Sequence, residues 1–186
     1  MSLKLVTAPE QEPITLTEAK DHLRVDTEDD DSVISGLILA ARQWAEEYTG
    51  RQLATATLDW FIDGFCQQFS VPLPPLQSVT SIKYLDTAGV EQTLSASTYR
   101  VDAVSEPGRV ALDYGKAWPC TYPVINAVTV RFMAGYAAVP EPIRQALLLL
   151  IGELYDQRQE SVPSQINSVP FGVRALLTPY KVWQSY

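Results

Sequence analysis

From Asp29 to Gly50 the chain reads Asp-Asp-Asp-Ser-Val-Ile-Ser-Gly-Leu-Ile-Leu-Ala-Ala-Arg-Gln-Trp-Ala-Glu-Glu-Tyr-Thr-Gly. No other stretch restricts the fold as much. Val33, Leu37, Ala41, Trp44 and Tyr48 recur at gaps of four and three, which stacks them into one stripe along an α-helix. The stripe predicts a buried face made of these five residues. Asp29, Asp30 and Asp31 fall where the unpaired amides and positive dipole end of a helix favour carboxylates, and any of them, or Ser32, can serve as N-cap. Gly50 closes the segment, because glycine takes the left-handed conformation that ends a helix.

Two further helices flank this one in the sequence. In Thr15 to Val25, Thr15 and Glu18 fit a capping box, and Leu16, Ala19 and Leu23 make an apolar stripe. Near the other end, Glu141-Pro142 opens a run in which Ile143, Ala146, Leu147, Leu150, Ile151 and Leu154 repeat at helical spacing. Leu148, Leu149 and Tyr155 widen its apolar surface beyond one stripe. The expectation is a helix covered on most sides, by the first long helix or by another subunit. Gly172 to Leu177 suits a short helix, and Gln157 to Val169, polar with Pro163, reads as a loop.

Between Gly50 and Glu141 the period changes from helical to alternating. Leu58, Trp60 and Ile62 alternate with Thr57 and Asp59, which is a strand pattern. Phe69 to Leu76 carries Pro72, Pro74 and Pro75 and suits an edge or a crossover. Val79–Leu85 and Val90–Leu94 flank the turn Asp86-Thr87-Ala88-Gly89. Thr98–Asp102 and Arg109–Leu112 flank Pro107-Gly108, and Val124–Met133 is rich in β-branched residues. The fold class that follows is α+β: N- and C-terminal helices, about 15–50 and 141–158, packed together around a small inserted antiparallel β unit at about 55–134. Residues 1–13 and 179–186 read as terminal arms of one domain.

Composition limits what such a fold can do. A hydrophobic fraction of 46% with 19% charged residues suits a folded globular chain. Leu147–Ile151 is among the longest apolar runs and is far shorter than the ~20 residues that cross a bilayer. With only Lys4 near the N-terminus and no apolar core before a cleavage site, the sequence predicts a chain that stays in the cytoplasm where it is made. Cys66 and Cys120 have neither metal-ligand nor disulfide-framework spacing and read as reduced structural thiols. The formal charge of -8 opposes tight binding of phosphates, yet suits a conduit through which DNA slides without adhering.

No catalytic, cofactor-binding or metal-binding residues emerge. His22, the only histidine, lies mid-helix beside Asp21 with no nucleophile motif in the chain, and reads as a surface residue. Asp29–Asp31 lacks calcium-loop spacing. A hydrolase would need Asp59 to converge with Asp63 or Glu91 at about 5–10 Å. Acids on the wet face of a strand explain these residues equally well.

The order of the pieces carries a resemblance. Ile14 to Val25, then the acids, then Ile38-Leu39-Ala40-Ala41-Arg42-Gln43-Trp44-Ala45-Glu46-Glu47-Tyr48-Thr49-Gly50-Arg51-Gln52-Leu53 resembles the head-tail connector (adaptor) proteins of long-tailed bacteriophages and prophages. Phe132-Met133-Ala134-Gly135-Tyr136 with Val139-Pro140 and the Leu-rich helix to Arg158 is similar to the second family block. Val169 to Val173 through Leu176, Leu177 and Tyr180 is similar to the closing one. The β unit matches the longer branch of that family. The resemblance implies a structural virion protein without catalytic residues, a twelve-fold ring of copies at the head-tail junction. Its implied partners are the portal protein above and a tail-side completion or terminator protein below, with DNA passing through and no membrane involved. A tail or baseplate binding module is the alternative, and a carboxylate-dependent hydrolase the remote one. Interface candidates are Leu148, Leu149, Tyr155, Tyr180, Trp183 and Tyr186. The arms, with Leu3, Leu5 and Val6 at one end and Val182 at the other, are expected to order on a neighbouring subunit, the portal or the tail side.

Overall fold

The computed structural model describes residues 2–157 and 171–183. The chain forms two units: residues 1–10 with 55–136, and residues 11–54 with 137–186.

The second unit is helical. Its elements are α1 (Leu16–Leu23), α2 (Asp31–Thr49), α3 (Glu141–Gln157) and α4 (Phe171–Leu177). The capping box forms as expected, with the Thr15 side chain accepting from the Glu18 amide and Glu18 accepting from the Thr15 amide. Arg24 ends α1 and Gly50 ends α2, both in the left-handed conformation. The core joins Ile14 and Ala19 to Ile143, Ala146, Leu147, Leu150 and Ile151 of α3, and to Val173 and Leu177 of α4.

The buried stripe of α2 is not the expected one. Ile34, Ile38, Ala41, Ala45 and Thr49 face the core, while Val33 is exposed and Leu37, Trp44 and Tyr48 are half-buried. Apart from Ala41 each position is displaced by one residue, a rotation of about 100°. Small residues decide the matter, because Ala41 and Ala45 allow close approach of neighbouring helices. The large rings of Trp44 and Tyr48 stack on each other at the flank, 5.1 Å apart and nearly parallel.

The acids before α2 also behave differently. Asp30 is the N-cap residue but makes no side-chain cap bond. Its Oδ2 instead accepts from the Tyr155 hydroxyl at 2.6 Å, and Asp31 pairs with Lys20 at 2.6 Å. These carboxylates tie the start of α2 to α3 and α1 while still complementing the helix dipole.

The first unit is built from two antiparallel sheets. Strands β1 (Ser2–Thr7), β2 (Ala56–Ile62), β4 (Leu76–Leu85), β5 (Glu91–Thr93) and β8 (Val128–Ala134) form one, in the order β1-β2-β8-β4-β5. Strands β3 (Gln68–Ser70), β6 (Tyr99–Asp102) and β7 (Arg109–Leu112) form the other, in the order β3-β7-β6. Residues 2–7, read from sequence as part of an arm, are thus an edge strand paired from Ser2↔Phe61 to Leu5↔Leu58. The core lies between the sheets. Leu58, Trp60, Ile82, Val128, Val130 and Phe132 come from the larger sheet, Phe69 and Val110 from the smaller. Gly108 is required where the chain enters β7, since a Cβ there would lie 2.6 Å from Leu76.

Phe132 is fully buried, so Phe132→Ala is expected to cost about 3–5 kcal/mol in urea denaturation. Trp44→Ala, at a half-buried flank, is expected to cost well below that range. Equal losses would return Trp44 to the core.

Candidate assembly surface

Two charged residues one helical turn apart organise the middle of the helical unit. Arg42, almost fully buried, donates from Nε to Glu12 at 2.6 Å and from Nη1 to Glu46 at 2.7 Å. The other oxygen of Glu46 accepts from the Gln52 amide group at 2.7 Å and from the backbone of Leu53 at 2.9 Å, with Ala54 at 3.4 Å. Burial raises the Glu46 carboxyl above its ordinary value of 4.5, against the opposing pull of the Leu53 amide and Arg42.

The segment after α4 lies across the C-terminal end of α2. The Val182 amide donates to the Thr49 carbonyl at 2.8 Å, capping one of the carbonyls the helix leaves free, and Arg51 donates to the Tyr180 carbonyl. The Lys181 ammonium sits 4.9 Å from the Tyr48 ring centre and 5.2 Å from that of Trp183. The tail is therefore fastened within its own unit as far as Trp183. Part of the expected C-terminal arm is ordered without a partner, yet Trp183 remains 79% exposed.

The expected interface residues separate accordingly. Leu149 is exposed on α3, and Leu148 is half-buried. Tyr155 and Tyr180 are half-buried, and the hydroxyl of Tyr155 is bonded to Asp30. Tyr186 lies outside the described residues, as does the loop expected at 157–169 apart from its first residue. Sequence reasoning missed Phe171, which is 87% exposed at the start of α4. Its off-stripe position relative to buried Val173 and Leu177 was the available signal. It also missed Val104, Tyr114 and Ile125, all prominently exposed on loops of the β unit. Val104 is held out by an ordered turn. The Asp102 carboxylate accepts from the Val104 and Ser105 amides, the Ser105 hydroxyl and Arg109. Hydrogen bonds from Ser105 and Arg109 hold that carboxyl well below the usual range.

The structure does not assemble the suspected acid pairs. Asp59 is bound by Arg131 through two bonds of 2.7 and 2.8 Å, Asp63 accepts from the Asn126 amide, and Glu91 pairs with Lys83. Two strands and a register offset of four residues lie between Asp59 and Glu91, putting them about 20 Å apart, and Asp63, just past the end of β2, is about 13 Å along the chain from Asp59. An open groove of 470 Å³ beside Ile14 and Ile38 contains one carboxylate, Glu12, already bonded to Arg42. His22 is exposed, beside Gly152. Cys66 and Cys120 are exposed free thiols rather than core residues. Among the described residues no group of three His, Cys, Asp or Glu could hold a metal ion, and no helix is long and apolar enough to cross a membrane.

Each of the three suspected acids is engaged in an internal tie, and large apolar side chains stand exposed on both units. Residues 13–104 match the phage gp6-like head-tail connector proteins. Among solved structures, a chain from the neck of an empty gene transfer agent particle, computed with C6 symmetry, is similar over 100% of this chain and 98% of its own, with TM-score 0.81 and 25% identity. A chain from the neck of the native particle, computed with C12 symmetry, is similar over the same shares with TM-score 0.77 and 26% identity. A chain from the virion of the native particle gives TM-score 0.79 at 25% identity, again over 100% and 98%. No curated protein sequence matches the chain. The protein is a structural head-tail connector subunit.

Glu46→Ala is expected to cost about 3 kcal/mol, because it strands the Leu53 and Ala54 amides and leaves Arg42 with Glu12 alone. Because the folded carboxyl is raised, the stability Glu46 contributes is fully present below 4.5 and is lost as pH rises through its folded value. Glu46→Gln cannot ionise. Urea midpoints measured from about pH 4 to about pH 7 should therefore shift in favour of the Gln variant relative to the wild type, and parallel curves would remove Glu46 as a source of pH dependence.

Proposed function

We propose that this chain is one subunit of a twelve-fold ring at the head-tail junction of a phage-like virion, made in the cytoplasm of the bacterial host. The ring sits beneath the portal protein and above a tail-side completion or terminator protein. Genomic DNA passes through it without tight binding. The observation that carries this reading is similarity over the whole chain to a neck protein of a particle computed with C12 symmetry. The net charge of -8 supports the conduit, since phosphates are repelled rather than held.

Leu149, Phe171 and Trp183 are the contact residues proposed on the helical unit, with Leu148 and Tyr180 beside them, and all three are exposed. The role is mechanical and needs no catalysis. Reproducible hydrolysis of a glycan, nucleotide or peptide that vanishes in Asp59→Asn would overturn that part.

Electron microscopy of purified protein mixed with its portal is expected to show a ring of twelve copies on one end of the portal, while the free protein stays monomeric at micromolar concentration. Trp183→Ala should fold normally but join portals less well. A three-fold assembly on a tail tip would instead favour a baseplate part, and unchanged portal joining by the variant would remove Trp183 from the contact.

A further inference from the structure

We propose that the five-stranded sheet runs on from copy to copy around the ring, the β1 edge of one subunit pairing with the β5 edge of the next. This rests on the ring reading above and names the surface that closes it.

Both edges of that sheet are open. Every residue of β1 and of β5 is exposed, so each strand presents a row of backbone donors and acceptors to water. Natural sheets blunt such edges, yet β1 has no proline, and its one irregularity falls after Leu5. Leu3 and Leu5 lie on the side of the sheet that carries Trp60 and Leu58, where the remaining strands bury their side chains, but both are exposed.

The register shows how the edges match. Lys4 lies opposite Asp59, Asp59 opposite Arg131, and Arg131 opposite Ser81. Side chains alternate along a strand, so Lys83, two residues from Ser81, shares this face, and so does Glu91, opposite Leu85. Charge on the face therefore begins with a cation on β1 and ends with an anion on β5. Glu91, exposed and paired within its own copy to Lys83, lies four residues beyond the row that holds Lys4, so the proposed junction slides neighbouring sheets by four residues and sets Glu91 of one copy beside Lys4 of the next, on the same face and with opposite sign. Self-pairing of two β1 edges would bring Lys4 to Lys4 and would stop at a dimer. A rotational ring needs two different, complementary surfaces on each subunit, which the two ends of this sheet supply. Because the five strands alternate in direction, β1 and β5 run the same way, and the junction is parallel. With β5 only three residues long, each junction is weak alone and holds through closure of the ring.

The test uses portal-bound rings of a Cys66→Ser, Cys120→Ser protein carrying Lys4→Cys and Glu91→Cys, oxidised mildly and run without reductant. Adjacent positions on neighbouring strands fall within disulfide range, so a ladder of cross-linked multimers is expected. Electron microscopy of the same rings separates the two ideas. Intact twelve-fold rings without the ladder would sink this junction and leave the ring standing, whereas absence of a ring from wild-type samples would remove both. Dimers from Lys4→Cys alone would assign the edge to self-pairing, and bonds to the portal or a tail protein would assign it to another chain; either overturns the proposal. A second readout is charge exchange. Lys4→Glu and Glu91→Lys should each lower ring incorporation by about fivefold or more, and the double exchange should restore it to within about twofold. Single variants that assemble like the wild type would overturn it as well.

Discussion

The Arg42–Glu46 pair is the interaction on which the helical unit depends. One guanidinium and one carboxylate, a turn apart on α2, hold the chain beside two of the three places where it crosses between the units. Arg42 binds Glu12, close after the boundary at residue 10, and Glu46 binds the amides of Leu53 and Ala54, the last residues before the other boundary. A largely buried carboxylate is costly, and the raised Glu46 carboxyl records that cost. The return is geometric. The Leu53 and Ala54 amides, which belong to no helix or strand, are satisfied at fixed positions.

Much of this was legible from the sequence. Each strand predicted between 57 and 133 is present to within a few residues, because alternation, turn residues and prolines act locally. The capping box at Thr15 and the left-handed Gly50 were likewise readable. The rotation of α2 was not. Trp44 and Tyr48 are large and suitably spaced, but the helix buries Ala41 and Ala45 because what packs against it comes not only from neighbouring α1 but also from α3, about a hundred residues away in sequence. The division into two sheets also depended on distant pairing: β3 joins β7 across about forty residues.

The exposed apolar residues were legible only in part. Leu149 followed from apolar residues in excess of one stripe, and Trp183 from the aromatic tail. Phe171 and Val104 did not, since an exposed hydrophobe is recognisable only once the buried face of its element is known. Lys4 and Glu91 lie on one face, at opposite edges of a sheet that exists only after β1, β2, β8, β4 and β5 are in register.

The clamps beside two of the crossings also bear on ancestry. The helical unit satisfies the Leu53 and Ala54 amides with its own Glu46, and the β unit keeps a separate core running from Ala56 to Ala134. Substitutions in the two units answer to different packing constraints, so the units are free to diverge at different rates, and a lineage can remodel its sheets while its helices stay recognisable.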